Sequence, residues 1–312
     1  MARHVSRRSF LRASALAGTA AIAGDALGGV LTRALGATAL NKPADMAVVS
    51  GSNFYDATVR AIELLGGIER FVPRNARVGL LVNSRYSNPG TYVKPEITLA
   101  VIALCHRAGA LQLISLEDTS ARYWRHATVS PEHQRYLDTL TSPRAHRTTV
   151  IHGGRNVKTV DVVPDLLDCD VFVNLPIFKD HAGAWFTGAL KNIMGAIADR
   201  SNQRFHQNAD SGEDRDGYAF LSQSIADANL LRRPTLVVGD ATEVLVRRGP
   251  YGPGPVRKYN TVVAATDPVA LDACGAGILG IPPEQLATLR KAQEHGIGTI
   301  NLESLTIVRE SL

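Results

Sequence analysis

The chain has 312 residues, 45% hydrophobic, 20% charged and 6% aromatic, a balance that excludes disordered, collagen-like and coiled-coil proteins. Three cysteines exclude a disulfide framework and a four-cysteine zinc or iron–sulfur centre built from this chain alone. The net charge of +5 sits mostly in residues 1–39, where Arg3, Arg7, Arg8, Arg12 and Arg33 face one acid, Asp25, so it does not argue for a nucleic-acid partner.

Ser6-Arg7-Arg8-Ser9-Phe10-Leu11 precedes a small-residue apolar run that reaches Leu31. A basic start, an apolar middle and the small residues Ala37-Thr38-Ala39 make residues 1–39 an export signal, with 40–312 as the mature domain. The paired arginines resemble the twin-arginine signature. The twin-arginine translocase is therefore the expected export partner, and the periplasm or extracellular space the expected location. Asp25, the glycines and Arg33 make the run a poor bilayer span, and no later stretch is expected to span one, so no membrane span is expected after cleavage.

Residues 47–49 predict a strand and 55–65 a helix ended by Gly66-Gly67. Next come a strand at 77–82, a helix at 95–108 ended by Gly109, and a strand at 111–116. Short strands are expected at 148–151 and 159–163. A strand at 171–173 leads into a loop at 175–184 and a helix to about 198. A helix at 218–230 and strands at 235–238 and 261–265 follow. Helices at 268–279 and 283–295 and a strand at 305–308 close the chain. This alternation predicts an α/β fold: a mainly parallel sheet with helices on both faces, in one large domain with room for a small subdomain.

Several predicted strands end in polar side chains: Asn83, Glu117-Asp118, Asn174, Asp240 and Asp267. Each alone reads as a cap or turn former. Together they predict a crevice, because open α/β sheets bind ligands outside the carboxyl ends of their strands.

The densest chemistry lies in Lys179-Asp180-His181 and the following Thr187-Gly188-Ala189-Leu190-Lys191-Asn192. Thr187 and Lys191, four apart, would share a helix face. Thr187 is the expected N-cap, presenting free N–H groups to the crevice, and Gly188 permits close approach. Two lysines, a histidine and a helix N-terminus suit a small carboxylate or phosphate. His181, Lys179 and Lys191 are the candidate catalytic residues, with His181 as an acid/base of ordinary imidazole pKa. Asn83, Asn174, Thr187, Gly188, Asn192 and His206 are candidate ligand contacts.

Asp267-Pro268 reads as N-cap then first helical residue. Asp272 lies in an otherwise apolar helix and needs a partner, for which Lys179 or Lys191 is the candidate. It joins the ligand contacts. Arg247 and Arg248 do so too, on a loop of glycines and prolines ending at Pro255, either a lid or a solvent loop. The polar stretch 202–217 is a second candidate cover. A metal ion is compatible with His181 or His206 together with Asp180, Asp240 or Asp267, and Asp240 and Asp267 are the ligands assigned. No cofactor is assigned, and no iron–sulfur cluster is expected.

These segments resemble the domain-of-unknown-function 362 family. The resemblance rests on Asn174-x-Pro176-x-x-Lys179-x-His181 and on the run from Thr187 through Lys191-Asn192 to Gly195. Thr266-Asp267-Pro268-Val269-Ala270-Leu271-Asp272-Ala273, Leu65-Gly66-Gly67 and His206 are similar to the family as well. The chain departs from the family's usual Lys-Pro-Asn at Leu81-Val82-Asn83, losing one positive charge that Arg247 or Arg248 is positioned in sequence to replace. The segment after Asp240 is also altered, and the family's accompanying iron–sulfur module is absent. The resemblance implies the fold and the site's location, but no reaction.

Two functions follow. One is an exported enzyme acting on a small anion in a Lys/His/Asp crevice. The other is a metal or cofactor carrier without turnover. A purely structural module ranks below both, since charges in apolar surroundings are costly to keep without use.

Overall fold

The computed structural model describes residues 43–206 and 218–312. The expected signal at 1–39 and residues 207–217 of the second candidate cover lie outside them.

Runs of β-branched and apolar residues build the strands of the main sheet. These are β1 (Met46–Ser50), β2 (Arg77–Val82), β3 (Gln112–Ser115), β4 (Leu140–Thr141), β7 (Val171–Leu175), β10 (Leu236–Leu245), β11 (Val256–Ala265) and β12 (Ile307–Ser311). Their order is β12-β1-β11-β10-β7-β2-β3-β4. Every neighbouring pair is parallel except those made by β11, which runs against both β1 and β10. The sheet is therefore mainly parallel and its central strands are buried on both faces.

Alternating side chains feed two cores. Val78, Leu80, Val171, Val173 and Val238 point into one layer, under helices α1 (Phe54–Leu64) and α2 (Pro95–Arg107). Leu81, Phe172, Val237 and Val263 point into the other. That face is covered by α8 (Ala219–Ala228), α9 (Pro268–Ile278) and α10 (Ala287–Glu294). Cys105, Cys169 and Cys274 are buried, unpaired thiols.

Local structure departs from expectation where side chains had no periodic signal. Short helices α3 (Ala121–Trp124) and α4 (Pro131–Leu137) were not predicted; Ser120 and Ser130 cap them. Strands β5 (Arg147–Val150) and β6 (Thr159–Val162) form a separate hairpin, followed by α5 (Pro164–Asp168). The expected loop at 175–184 holds a second hairpin, β8 (Lys179–His181) with β9 (Trp185–Thr187). The single helix expected to about 198 is broken into one turn, α6 (Ala189–Asn192), a 3-10 turn (Ile193–Ala196) and α7 (Asp199–His206). No helix among the described residues is long and apolar enough to cross a membrane.

Candidate functional site

The segment after β7 carries the central residues, and its course is set by packing. Phe178 is fully buried against Gly239 of β10 and Gly275 of α9, where any Cβ would collide with its ring. The Phe178 N–H donates to the Asp240 carbonyl at 2.9 Å, and the Asp240 N–H donates to the Pro176 carbonyl at 2.8 Å. With Phe178 seated, the next residue, Lys179, turns toward a cleft of about 660 Å³.

Lys179 is 1% exposed. Its ammonium donates to the Thr91 carbonyl at 2.7 Å and to Asn83 Oδ1 at 3.4 Å, and lies 4.9 Å from the Tyr86 ring centre. Burial, then the nearby Lys191 cation, pulls it down to about 7, against the pull of Glu117. Asn83 donates to Asn192 Oδ1 at 3.0 Å, and Asn192 donates to Asn174 Oδ1 at 2.7 Å. Asn174 in turn donates to the Ala189 carbonyl at 2.9 Å. Asn174 is thus a buried strut beneath the site, while Asn83 and Asn192 line it.

His181 accepts the Gly183 and Ala184 N–H groups on Nδ1, both at 3.0 Å. The proton of the neutral ring therefore sits on Nε2. Burial, then Lys191, His206 and Lys179, holds the imidazole far below its ordinary pKa. The expectation of an acid/base with an ordinary pKa gives way: His181 is a fixed neutral donor. Thr187 ends β9 rather than capping a helix, and its buried hydroxyl has no partner among the described residues. Lys191 lines the same cleft, with Met194 Sδ at 3.7 Å, and burial lowers it to about 8. His206, whose Nδ1 donates to the Asn202 carbonyl at 2.9 Å, also lines the cleft.

Besides Asn174, six predicted residues do not line the cleft: Gly188, Asp240, Arg247, Arg248, Asp267 and Asp272. The α6 N-terminus does not face the ligand space, because Asp272 fills it, accepting from Ala189 N–H at 2.5 Å and Leu190 N–H at 2.9 Å. Asp272 is therefore paired with backbone donors rather than with Lys179 or Lys191. Burial pushes it up to about 7 against those two hydrogen bonds. Gly188 is required by this contact, since a Cβ would strike the Asp272 carboxylate and the Phe186 ring. Arg247 and Arg248 are exposed and do not line the cleft. Their loop is drawn instead onto β8, where the Gly249 N–H donates to Asp180 Oδ2 at 2.8 Å.

The two candidate metal ligands do not meet. Asp240 lies within β10, buried, and accepts from Lys94 N–H and Thr242 N–H, each at 2.7 Å. Asp267 follows β11, the antiparallel strand, and so emerges beyond the opposite end of the sheet. There it caps α9, accepting from Val269, Ala270 and Thr299 N–H groups. Among the described residues, no group of three or more His, Cys, Asp or Glu side chains is placed to hold a metal ion.

Arg85, Tyr86 and Tyr251 line the cleft without a sequence signal of their own, whereas Glu117 is one of the polar strand ends expected there. Arg85 lies two residues past Asn83 and forms a two-pronged pair with Asp199 at 3.0 and 3.3 Å. It places an arginine on the cleft wall where Arg247 and Arg248 do not reach, its charge matched by Asp199. Tyr86 meets Tyr251 edge-on at 5.0 Å, so the glycine–proline loop does contribute a wall, through its aromatic residue. Glu117, beyond the end of β3, reaches the cleft against Gly195, and burial pushes its carboxyl up to about 7.

A family model described as Domain of unknown function (DUF362) matches residues 78–277. The chain belongs to this family. The DUF362 match takes in every residue named above as lining the cleft. A thylakoid-associated protein from Synechocystis sp. is 28% identical over 247 residues, covering 76% of this chain and 73% of its own. The lactate racemase apoprotein from Thermoanaerobacterium thermosaccharolyticum resembles the structure with a TM-score of 0.41 and 11% identity, over 62% of this chain and 50% of that one. A Thermotoga maritima protein does so with a TM-score of 0.40 and 11% identity, over 73% and 58%. The chain thus spans between half and three-fifths of those two structures. The DUF362 description names no activity.

Proposed function

We propose that this protein is an exported enzyme that binds a small carboxylate or phosphate in the cleft and acts on it. One observation carries the reading: Lys179 and Lys191 line one cleft, and neither has a carboxylate within ion-pair distance among the described residues. Burying a cation costs several kcal/mol unless an opposite charge offsets it. An anionic ligand offsets two at once. The Nε2–H of His181 and the unpartnered Thr187 hydroxyl add neutral donors, which favour a multi-oxygen anion over a halide. Lysines lowered toward neutrality can also exchange a proton with bound substrate.

Thermal-shift and calorimetric titration with acetate, lactate, phosphate and succinate test the binding step. The expected result is a saturable shift with at least one of them, lost in Lys191→Ala while that variant keeps its circular dichroism spectrum. No shift with any of them in the wild-type protein would refute the site. A carrier is the second reading, favoured by the His181 ring, which is locked as a donor and offers no base. Recovery of a bound species chemically unchanged after prolonged incubation would decide for it.

A further inference from the structure

The two lysines are held in different ways. Lys179 is tied to the Thr91 carbonyl and Asn83. Lys191 makes no hydrogen bond to oxygen or nitrogen among the described residues; its ammonium has only the Met194 thioether at 3.7 Å. The chain has 34 Lys and Arg residues, of which only seven are lysines, yet two of the three Lys and Arg residues lining the cleft are lysine, the third being the Asp199-paired Arg85. Arginine keeps its proton when buried, whereas lysine releases it. A lysine that is partly desolvated, unanchored and close to a second, anchored cation is in the surroundings that make its amine a nucleophile toward carbonyl carbon.

We propose that Lys191 condenses with the carbonyl group of a small keto or aldehydo acid, forming an imine, and that this class of acid is the ligand of the cleft. The inference deepens the anion-binding reading and rests on it. The neutral Nζ attacks the carbonyl carbon, a C–N bond forms, and the π pair moves to oxygen. A proton passes from nitrogen to that oxygen, giving a carbinolamine. Glu117, raised by burial to about 7, then protonates the departing hydroxyl. Water leaves, the nitrogen pair closes C=N, and Glu117 remains as carboxylate beside the iminium. No oxidation state changes, and water reverses the step. The free carboxylate of the ligand meets the Lys179 ammonium, His181 Nε2–H and the Thr187 hydroxyl. The charged or titratable groups lining the cleft with Lys191 are Lys179, His181, His206, Glu117, Tyr86, Tyr251 and the Arg85–Asp199 pair.

The full chain is incubated with pyruvate, and separately with glyoxylate, in cyanoborohydride near neutral pH, and the adducts are mapped by peptide mass spectrometry. The expected result is a reduced adduct on Lys191 at least about tenfold above Lys94, Lys158, Lys258 and Lys291, a preference worth about 1.4 kcal/mol. Acetone, a carbonyl without the carboxylate, should label Lys191 weakly, and Lys191→Arg should abolish the adduct. Even labelling of all lysines, an adduct on Lys179 in place of Lys191, or equal labelling by acetone would overturn the proposal. Thermal shifts with acetate, lactate and phosphate run in parallel read the anion site by itself. A shift without trapping overturns the imine and leaves the anion site standing. Neither shift nor trapping overturns both.

Discussion

Asp272 Oδ1 accepts the Ala189 N–H at 2.5 Å, so a carboxylate from α9 closes the N-terminus of the turn that carries Lys191. The positive end of that turn is neutralised from inside the protein, and the positive character of the cleft comes from its lysine side chains. Asp272→Ala leaves two buried donors without acceptors and should destabilise the fold by about 3 kcal/mol. Asp272→Asn keeps one acceptor and should cost roughly half as much. Urea unfolding followed by circular dichroism measures both, and equal stability of the two variants would refute the capping role.

Stability of the unliganded protein should carry the signature of Lys179. Burial holds its folded-state pKa down at about 7, below the ordinary lysine value of 10.5. Below the lower value both states hold the proton and the folded state bears the full cost of the buried cation. Between the two values the unfolded chain binds more protons, so stability rises with pH. Lys179→Met lacks this dependence. It loses about 1 kcal/mol at every pH through the missing hydrogen bond to Thr91. Relative to wild type it should gain roughly 1–3 kcal/mol at pH near or below 7, shrinking as pH approaches 10.5. A difference independent of pH, from denaturant midpoints across this range, would contradict the assigned shift.

Thr187→Val tests whether the orphaned hydroxyl serves a ligand. Nothing in the described structure loses a hydrogen bond, so the melting temperature should hold or rise. Affinity for whichever anion shifts the wild-type protein should fall about tenfold, equivalent to one modest hydrogen bond. Unchanged affinity by calorimetry would remove Thr187 from the site.

The twin-arginine reading is open to a direct check. Replacing Arg7 and Arg8 together by lysine should leave uncut precursor in the cytoplasm, whereas the parent sequence should appear outside it, shortened near Ala39. Cell fractionation with N-terminal sequencing reads both outcomes. Export unaffected by the double substitution would point to another route.

How the fold was legible can be seen strand by strand. Runs such as Val171-Phe172-Val173 announce buried parallel strands because both of their faces must be apolar. The hairpin of β8 and β9 was not legible, since Lys179, Asp180 and His181 look like a polar loop. Their pairing is imposed by Phe178, locked between two glycines from distant elements. Arg85, Tyr86 and Tyr251 were missed for a related reason: single polar or aromatic residues on loops carry no period, and only their neighbours in space give them a role.

By itself, the sequence established the α/β architecture and the families of buried strands, and it marked the lysine–histidine segment as the candidate site. Those follow from periodicity and residue type, which are local. Which polar residues converge was settled only by the tertiary structure. One reversed strand, β11, sends Asp267 beyond the far end of the sheet. One carboxylate, Asp272, is taken up by backbone N–H groups, and among the described residues Lys179 and Lys191 have no acidic partner within ion-pair distance. Strand direction and hydrogen-bond partners depend on residues far apart in the chain, and linear spacing does not encode them.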